Sequence, residues 1–156
     1  MATMVLTDAV VLLDGASSNP VSVDISDWVK SVTINYSADM LEDTAMGDTT
    51  HSKNPGLKDW SIDLEMYQDF VDNGLDEDIW TAMATGLSQN VEIKPASGAR
   101  SATNPGYTGL CQIESYQPIA GAVGEMLTFR MRLVPTKKAA ASTHADHTLA
   151  LQRKTA

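Results

Sequence analysis

Leu57-Lys58-Asp59-Trp60-Ser61-Ile62-Asp63-Leu64-Glu65-Met66-Tyr67-Gln68-Asp69 decides the fold. Trp60, Ile62, Leu64 and Met66 fall at every second position, with Ser61, Asp63, Glu65 and Tyr67 in the gaps. That is the period of a strand burying one face. Residues 29–36 repeat it, with Val32, Ile34 and Tyr36 inward and Ser31, Thr33 and Asn35 outward, so the two stretches are expected to pair as antiparallel neighbours. Between them lies a polar loop, residues 39–56, about three times longer than a usual hairpin connection. Ordering so long a connection is costly without a partner, so it reads as a functional arm.

Outward from this pair, residues 3–13 form a Val- and Leu-rich run closed by Asp14-Gly15 and Ser17-Ser18-Asn19-Pro20, which are turn signals. Residues 21–25 alternate again as a returning partner strand, and Trp28 is expected at the rim of the core. After Asp69 the period changes: Leu75, Ile79, Trp80 and Met83 suggest one face of a short helix. Asp76, Glu77 and Asp78 load its first turn, where the helix dipole favours anions, and Gly86 supplies the stop. Residues 91–95 form a short strand, 96–105 an exposed turn, and 107–116 and 125–134 two more strands. In the last, Leu127, Phe129, Met131 and Leu133 oppose Thr128, Arg130 and Arg132. The expected fold is mainly β: a sandwich or a partly closed barrel of about seven strands with one flanking α-helix. Residues 1–135 make the domain, and residues 136–156, rich in Ala, Thr, Lys and His, are expected to be a flexible tail that orders only against a partner.

At 156 residues and 43% apolar content, the chain is long enough to hold a core without staples. A lone cysteine, Cys111, leaves no intrachain disulfide and agrees with a reducing compartment. The sequence opens without a basic n-region, and no apolar run approaches the roughly 18 residues that span a bilayer, which implies synthesis and folding in the cytoplasm. The net charge of −9 is uneven: Lys137, Lys138, Arg153 and Lys154 against Asp146 give residues 136–156 a balance of +3, leaving −12 for residues 1–135. An acidic body repels phosphate chains rather than gripping them.

No metal-protease, nucleophile-elbow or phosphate-loop motif is present. His144 and His147 are three apart, but in the tail with only Asp146 beside them, they read as solvated. Cys111 reads as a small buried hydrophobe. Asp39, Glu42, Asp43 and Asp48 crowd the long loop without the spacing of a calcium loop. The chain therefore reads as no enzyme and as needing no cofactor. A hydrolase would need two carboxylates facing each other across a cleft.

Several segments, taken in order, resemble the major tail tube proteins of long-tailed bacteriophages. They are Asp27-Trp28-Val29-Lys30-Ser31-Val32-Thr33-Ile34-Asn35-Tyr36-Ser37, then Met46-Gly47-Asp48-Thr49-Thr50, then Pro55-Gly56-Leu57-Lys58-Asp59-Trp60-Ser61-Ile62-Asp63-Leu64. Downstream, Ser101-Ala102-Thr103-Asn104-Pro105-Gly106-Tyr107-Thr108-Gly109 and Glu114-Ser115-Tyr116-Gln117-Pro118-Ile119-Ala120-Gly121 complete the set. The likeness spans residues 21–135 and rests on order and spacing, not on one motif. It implies subunits joined edge to edge into hexameric rings, stacked into a tail tube that serves as a conduit for DNA ejection. The virion tail would be its location, and the host bacterial cytoplasm its place of assembly. The long loop would reach an adjacent ring, making Asp39, Glu42, Asp43, Met46, Gly47, Asp48 and His51 inter-ring residues. The implied partners are other copies of the chain and the terminator, tape measure and distal tail proteins, with DNA passing without specific binding and no membrane involved.

Two features depart from the pattern. The turn of residues 17–20 lengthens the first hairpin, and the basic tail has no counterpart; through Lys137, Lys138, Arg153 and Lys154 it either clasps a neighbour or stays loose. The polar face of the central strands offers Asp63, Glu65, Gln112 and Glu114 as channel-lining candidates. An acidic wall would suit passing DNA, while Arg130 and Arg132 on an adjacent strand are placed to pair with Asp63 and Glu65. The alternative is a virion decoration or carbohydrate-binding β-sandwich module. It would need an exposed aromatic platform, and Trp60 and Trp80 are expected on core faces, leaving only Trp28.

Overall fold

The computed structural model describes residues 8–14, 22–71, 74–137 and 150–155. Along the chain run β1 (Val10–Asp14), β2 (Ser22–Asp24), a 3-10 turn (Ser26–Trp28), β3 (Val29–Glu42) and β4 (Lys53–Tyr67). Then come α1 (Leu75–Thr85), β5 (Gln89–Lys94), β6 (Gly106–Ala120), β7 (Thr128–Pro135) and β8 (Gln152–Lys154). Every pairing is antiparallel, in the order β2-β1-β5-β6-β7-β4-β3 with β8 beside β6. Among the described residues the path has two ends, β2 and β3, so the sheet they form is eight-stranded and open. Of the two architectures expected, the barrel is not the one formed.

The sheet turns over at β6. Its residues 107–111 pair with β5 and its residues 111–120 with β7, so one strand serves both layers, as at the corner of a sandwich. Trp60 of β4 is thereby laid against Gly109 of β6. Between the layers the alternating residues read from the sequence meet in one cluster: Val11, Leu13, Val91 and Ile93 from one side, and Ile62, Leu64, Met66, Phe129, Met131 and Leu133 from the other. Burying a side chain of this size stabilises the fold by about 1.5–3 kcal/mol. Ile25 closes one end of the cluster and Ile79 of α1 joins it, while Trp28 packs half-buried at the rim.

Helix α1 begins at Gly74 with Asp76, Glu77 and Asp78 in its first turn. It ends at Gly86, whose φ of 60° is left-handed, a conformation glycine reaches without cost. The buried stripe differs from the expected one: Ile79 and Ala82 face the core, whereas Trp80 is 61% exposed and Met83 is exposed too. Each residue advances about 100° around a helix, which swings Trp80 far from the Leu75–Ile79 line. Position 82, held by a small alanine, takes the inward place instead.

Four segments are more ordered than the sequence reading expected. Strand pairing carries the β3–β4 hairpin to Glu42↔Lys53, so the connection is residues 43–52 and not 39–56. Strand β6 runs on to Ala120, through residues read as a linker. The turn after β5 is folded around a buried Asn104, whose Nδ2 donates to the carbonyls of Ala96 (3.0 Å) and Ala99 (3.3 Å) and whose Oδ1 accepts from the Ala96 amide (3.1 Å). At the end of the chain, Gln152–Lys154 form β8 against residues 106–108. Lys138, His144, His147 and residues 17–20, where the sequence suggests a turn, lie outside the described residues.

Candidate functional site

Alternation along β3, β4, β6 and β7 gives the sheet a second, polar face opposite the core. Register places Asp63 across from Arg132 and Glu65 across from Arg130, which is the cross-strand pairing the sequence suggested. Arg132 Nε lies 3.8 Å from Asp63 Oδ1 and 3.0 Å from Glu114 Oε2, while its Nη2 donates to Ser61 Oγ at 3.2 Å. Asn35 Nδ2 donates to the second Asp63 oxygen at 2.9 Å. Glu65 holds Lys30 Nζ at 2.8 Å on one oxygen and Arg130 Nη2 at 3.5 Å on the other. The hydrogen bond from Lys30 draws the Glu65 carboxyl below the usual glutamate range, and Glu65 raises the Lys30 ammonium in turn.

Two irregularities bring these groups together. The β3–β4 register shifts between Val29 and Ser31, at Lys30, and the β6–β7 register shifts between Ile113 and Ser115, at Glu114. Bulges re-aim side chains, and one residue on each bulged strand is turned onto the polar face. Gln112, on the other side of the second bulge, is separated from this group: it sits opposite Val134 and accepts from Thr136 Oγ1 at 3.5 Å. Bulges leave no mark in a two-residue period, so Lys30 was not legible as a member of the face.

The β3–β4 hairpin leaves the body beyond Tyr36 and Trp60. Five further register pairs, from Ser37↔Asp59 to Glu42↔Lys53, extend it by roughly 20 Å at about 3.3 Å per residue. Met40, Leu41 and Leu57 on its strands and Met46 in its loop are exposed. The loop is tied by short polar bonds: His51 Nδ1 lies 2.7 Å from Glu42 Oε1, Thr44 Oγ1 donates to the same oxygen at 3.0 Å, and Asp48 Oδ2 accepts from the Ala45 amide at 2.8 Å. The Asp43 carboxylate accepts from Asn54 Nδ2. Gly47 has a φ of 107°, which a side chain would resist, and Asp39, read from the sequence as part of the loop, is exposed within β3. All seven candidate residues thus lie on one projecting arm, with Asp39 on β3 furthest from its tip.

Of the tail candidates, Lys137 is exposed beyond β7. Arg153 Nη2 donates to the Ala102 carbonyl at 3.2 Å, and Lys154 lies in β8. Among the described residues, no strand pairs with the outer flank of β3, nor with the flank of β6 residues 112–120 that faces away from β7. Phe70, Val71, Trp80 and Met83 are exposed as well.

Among the described residues, no three or more His, Cys, Asp or Glu side chains are grouped so as to hold a metal ion, and no helix is long and apolar enough to cross a membrane. Cys111 is buried, its Sγ donating to the Gln89 carbonyl at 3.3 Å.

The fold of this chain, an open antiparallel sheet with one helix, matches chains in solved tail structures. A chain from the tail of an empty gene transfer agent (GTA) particle with C6 symmetry matches with a TM-score of 0.66 at 15% identity, over 94% of this chain and 96% of that one. The chain shares the fold of tail proteins. A chain of the SPP1 tail tube matches with a TM-score of 0.66 at 14% identity, over 81% of this chain and 72% of that one. A chain from the sheath/tube terminator of an extracellular contractile injection system, PVC, gives 0.63 at 13% identity, over 88% and 95%. No family model and no curated protein sequence matches the chain.

Proposed function

We propose that the chain is a structural subunit that polymerises into stacked six-membered rings, forming a virion tail tube through which DNA is ejected. The observation that carries the reading is the pair of unpaired flanks on one four-strand layer. Strands β3, β4, β7 and β6 alternate in direction. The outer flank of β3 in one copy therefore meets the flank of β6 in the next with antiparallel direction preserved, and repetition of that head-to-tail contact closes a ring. Closure hides backbone groups that an open edge would leave exposed. The polar face then turns toward one side of the ring, with Asp63, Glu65 and Glu114 on the lumen wall and Gln112 at its margin. The arm, which carries Asp39, Glu42, Asp43, Met46, Gly47, Asp48 and His51, reaches the next ring, where Met40, Leu41 and Leu57 would be covered.

Likeness to a C6-symmetric tail, a tail tube and a sheath/tube terminator supports this assembly. On this reading the subunit breaks no bond, needs no cofactor and no membrane, and assembles in the host cytoplasm. It meets terminator, tape measure and distal tail proteins at its ends and lets DNA pass without specific binding. Lys137, Lys138, Arg153 and Lys154 serve as contacts to a neighbouring subunit.

Negative-stain microscopy of concentrated protein tests the proposal, with and without sonicated polymer as seed. Tubes of uniform width with six-fold end views are expected. Protein that stays monomeric in analytical ultracentrifugation at high concentration, seeded or not, overturns it. The exposure of Trp80 beside Met83 favours a second reading, a carbohydrate-binding or decoration module. Glycan-array binding lost in Trp80→Ala, without any polymer, would support that reading instead.

A further inference from the structure

The polar face carries Lys30, Arg130 and Arg132 against Asp63, Glu65 and Glu114, a balance of zero on a chain whose residues 1–135 sum to −12. The three cations lie on β3 and β7, on either side of β4, among Ser31, Thr33, Ser115 and Gln117. Lysine, arginine, hydroxyl and amide groups on one surface are the composition by which proteins hold phosphate oxygens. Each cation is instead within salt-bridge distance of a carboxylate of the same face, with Glu65 taking two of them and Arg132 meeting two carboxylates.

We propose that Asp63, Glu65 and Glu114 act as built-in substitutes for phosphate, so that this face is a nucleic-acid-binding surface kept silent by its own acids. An all-acidic wall would push a passing duplex away, and an unmasked basic wall would hold it at many points at once. A compensated wall does neither at distances beyond about a Debye length, roughly 8–10 Å at physiological salt. This corrects the acidic lining expected from Asp63, Glu65, Gln112 and Glu114 alone, because Lys30, Arg130 and Arg132 cancel it. The inference rests on the tube reading for its biological meaning, but the masking belongs to the single subunit and is testable there.

The test is a double substitution, Asp63→Asn with Glu65→Gln, which keeps side-chain shape and leaves two cations of the face uncompensated. Binding of a fluorescent 20-base-pair duplex by the unpolymerised protein is measured at low salt, beside Asp27→Asn with Glu77→Gln, which removes the same charge outside the face. The masked-face proposal expects at least a roughly tenfold gain in affinity for the first variant only, falling steeply and linearly in log–log form as salt rises. Equal duplex binding by the two variants, or none by either while circular dichroism shows the first to be folded, overturns it. If the first variant does not fold, Glu114→Gln alone replaces it, with a smaller gain of the same salt dependence expected and no gain overturning the proposal. Because the readout uses single subunits, a failure to form tubes would refute the proposed function and leave this result standing. Where tubes do form, variant tubes should sediment with the duplex and wild-type tubes should not.

Discussion

Trp60 of β4 occupies the space where a side chain on Gly109 of β6 would stand: a Cβ there would come within 2.7 Å of the indole Cζ2 and 2.9 Å of Cη2. These two residues lie on strands separated by β7 in the sheet, so their contact records how far the sheet has turned over. The indole is 3% exposed and has nowhere to retreat. Gly109→Ala is therefore expected to destabilise the fold by about 1–3 kcal/mol through overpacking. Thermal or urea unfolding measures it, and an unchanged midpoint would mean that the two layers are not closely packed there.

Tyr116 ties the start of α1 to the sheet. Its hydroxyl donates to the Asp76 carboxylate and accepts from Gln68 Nε2 at 3.2 Å, and the same Gln68 nitrogen donates to the Pro118 carbonyl at 2.7 Å. Burial, with Asp76 adding to it, pushes the phenol up to about 12. In the unfolded chain a tyrosine ionises near 10. The folded state thus holds a proton that the unfolded state releases between those values, and stability present below about pH 10 is lost as the pH climbs toward 12. Tyr116→Phe is expected to cost about 0.5–1.5 kcal/mol at neutral pH and to flatten that alkaline fall. Chemical unfolding at pH 8, 10 and 11 distinguishes the two effects.

What could be read in advance follows from which forces repeat along the chain. Core alternation in β3, β4 and β7 repeats every two residues, so Val32, Ile34, Ile62, Leu64, Met66, Phe129 and Met131 were all legible as inward, as were the cross-strand partners of Asp63 and Glu65. Trp80 was misplaced because apolar character was weighed above helical angle. The arm was read as loop because its strands have no buried face: Met40, Leu41 and Leu57 are exposed, and pairing there is held by backbone bonds that carry no side-chain period. The bulges at Lys30 and Glu114 and the pairing of β8 with β6 depend on contacts distant in sequence, for which local pattern holds no signal.

Leu151 packs half-buried against the core just before β8 pairs with residues 106–108 of β6. Ending the chain after residue 149 removes both. A loss of about 1–2 kcal/mol is expected from the uncovered apolar surface, together with faster amide exchange at Gly106, Tyr107 and Thr108. Unchanged stability and exchange would show that β8 contributes little to the subunit by itself.

The arm offers the sharpest separation of folding from assembly. Its outer pairs bury almost nothing, so shortening it should leave the body intact. Glu42↔Lys53 is the last register pair, and replacing residues 43–52 by Asn-Gly closes the hairpin with the two-residue turn that antiparallel strands favour. Stability is expected to change by less than about 0.5 kcal/mol, because the core cluster ends at Trp60 and Ile34. Polymerisation should be abolished, or reduced to single rings, as the inter-ring reach is gone while the flanks of β3 and β6 remain. Met40→Ser with Leu41→Ser should weaken stacking in the same direction by removing apolar surface alone. Sedimentation velocity beside thermal unfolding reads both quantities on one sample, and full-length tubes from the shortened chain would remove the arm from any role between rings.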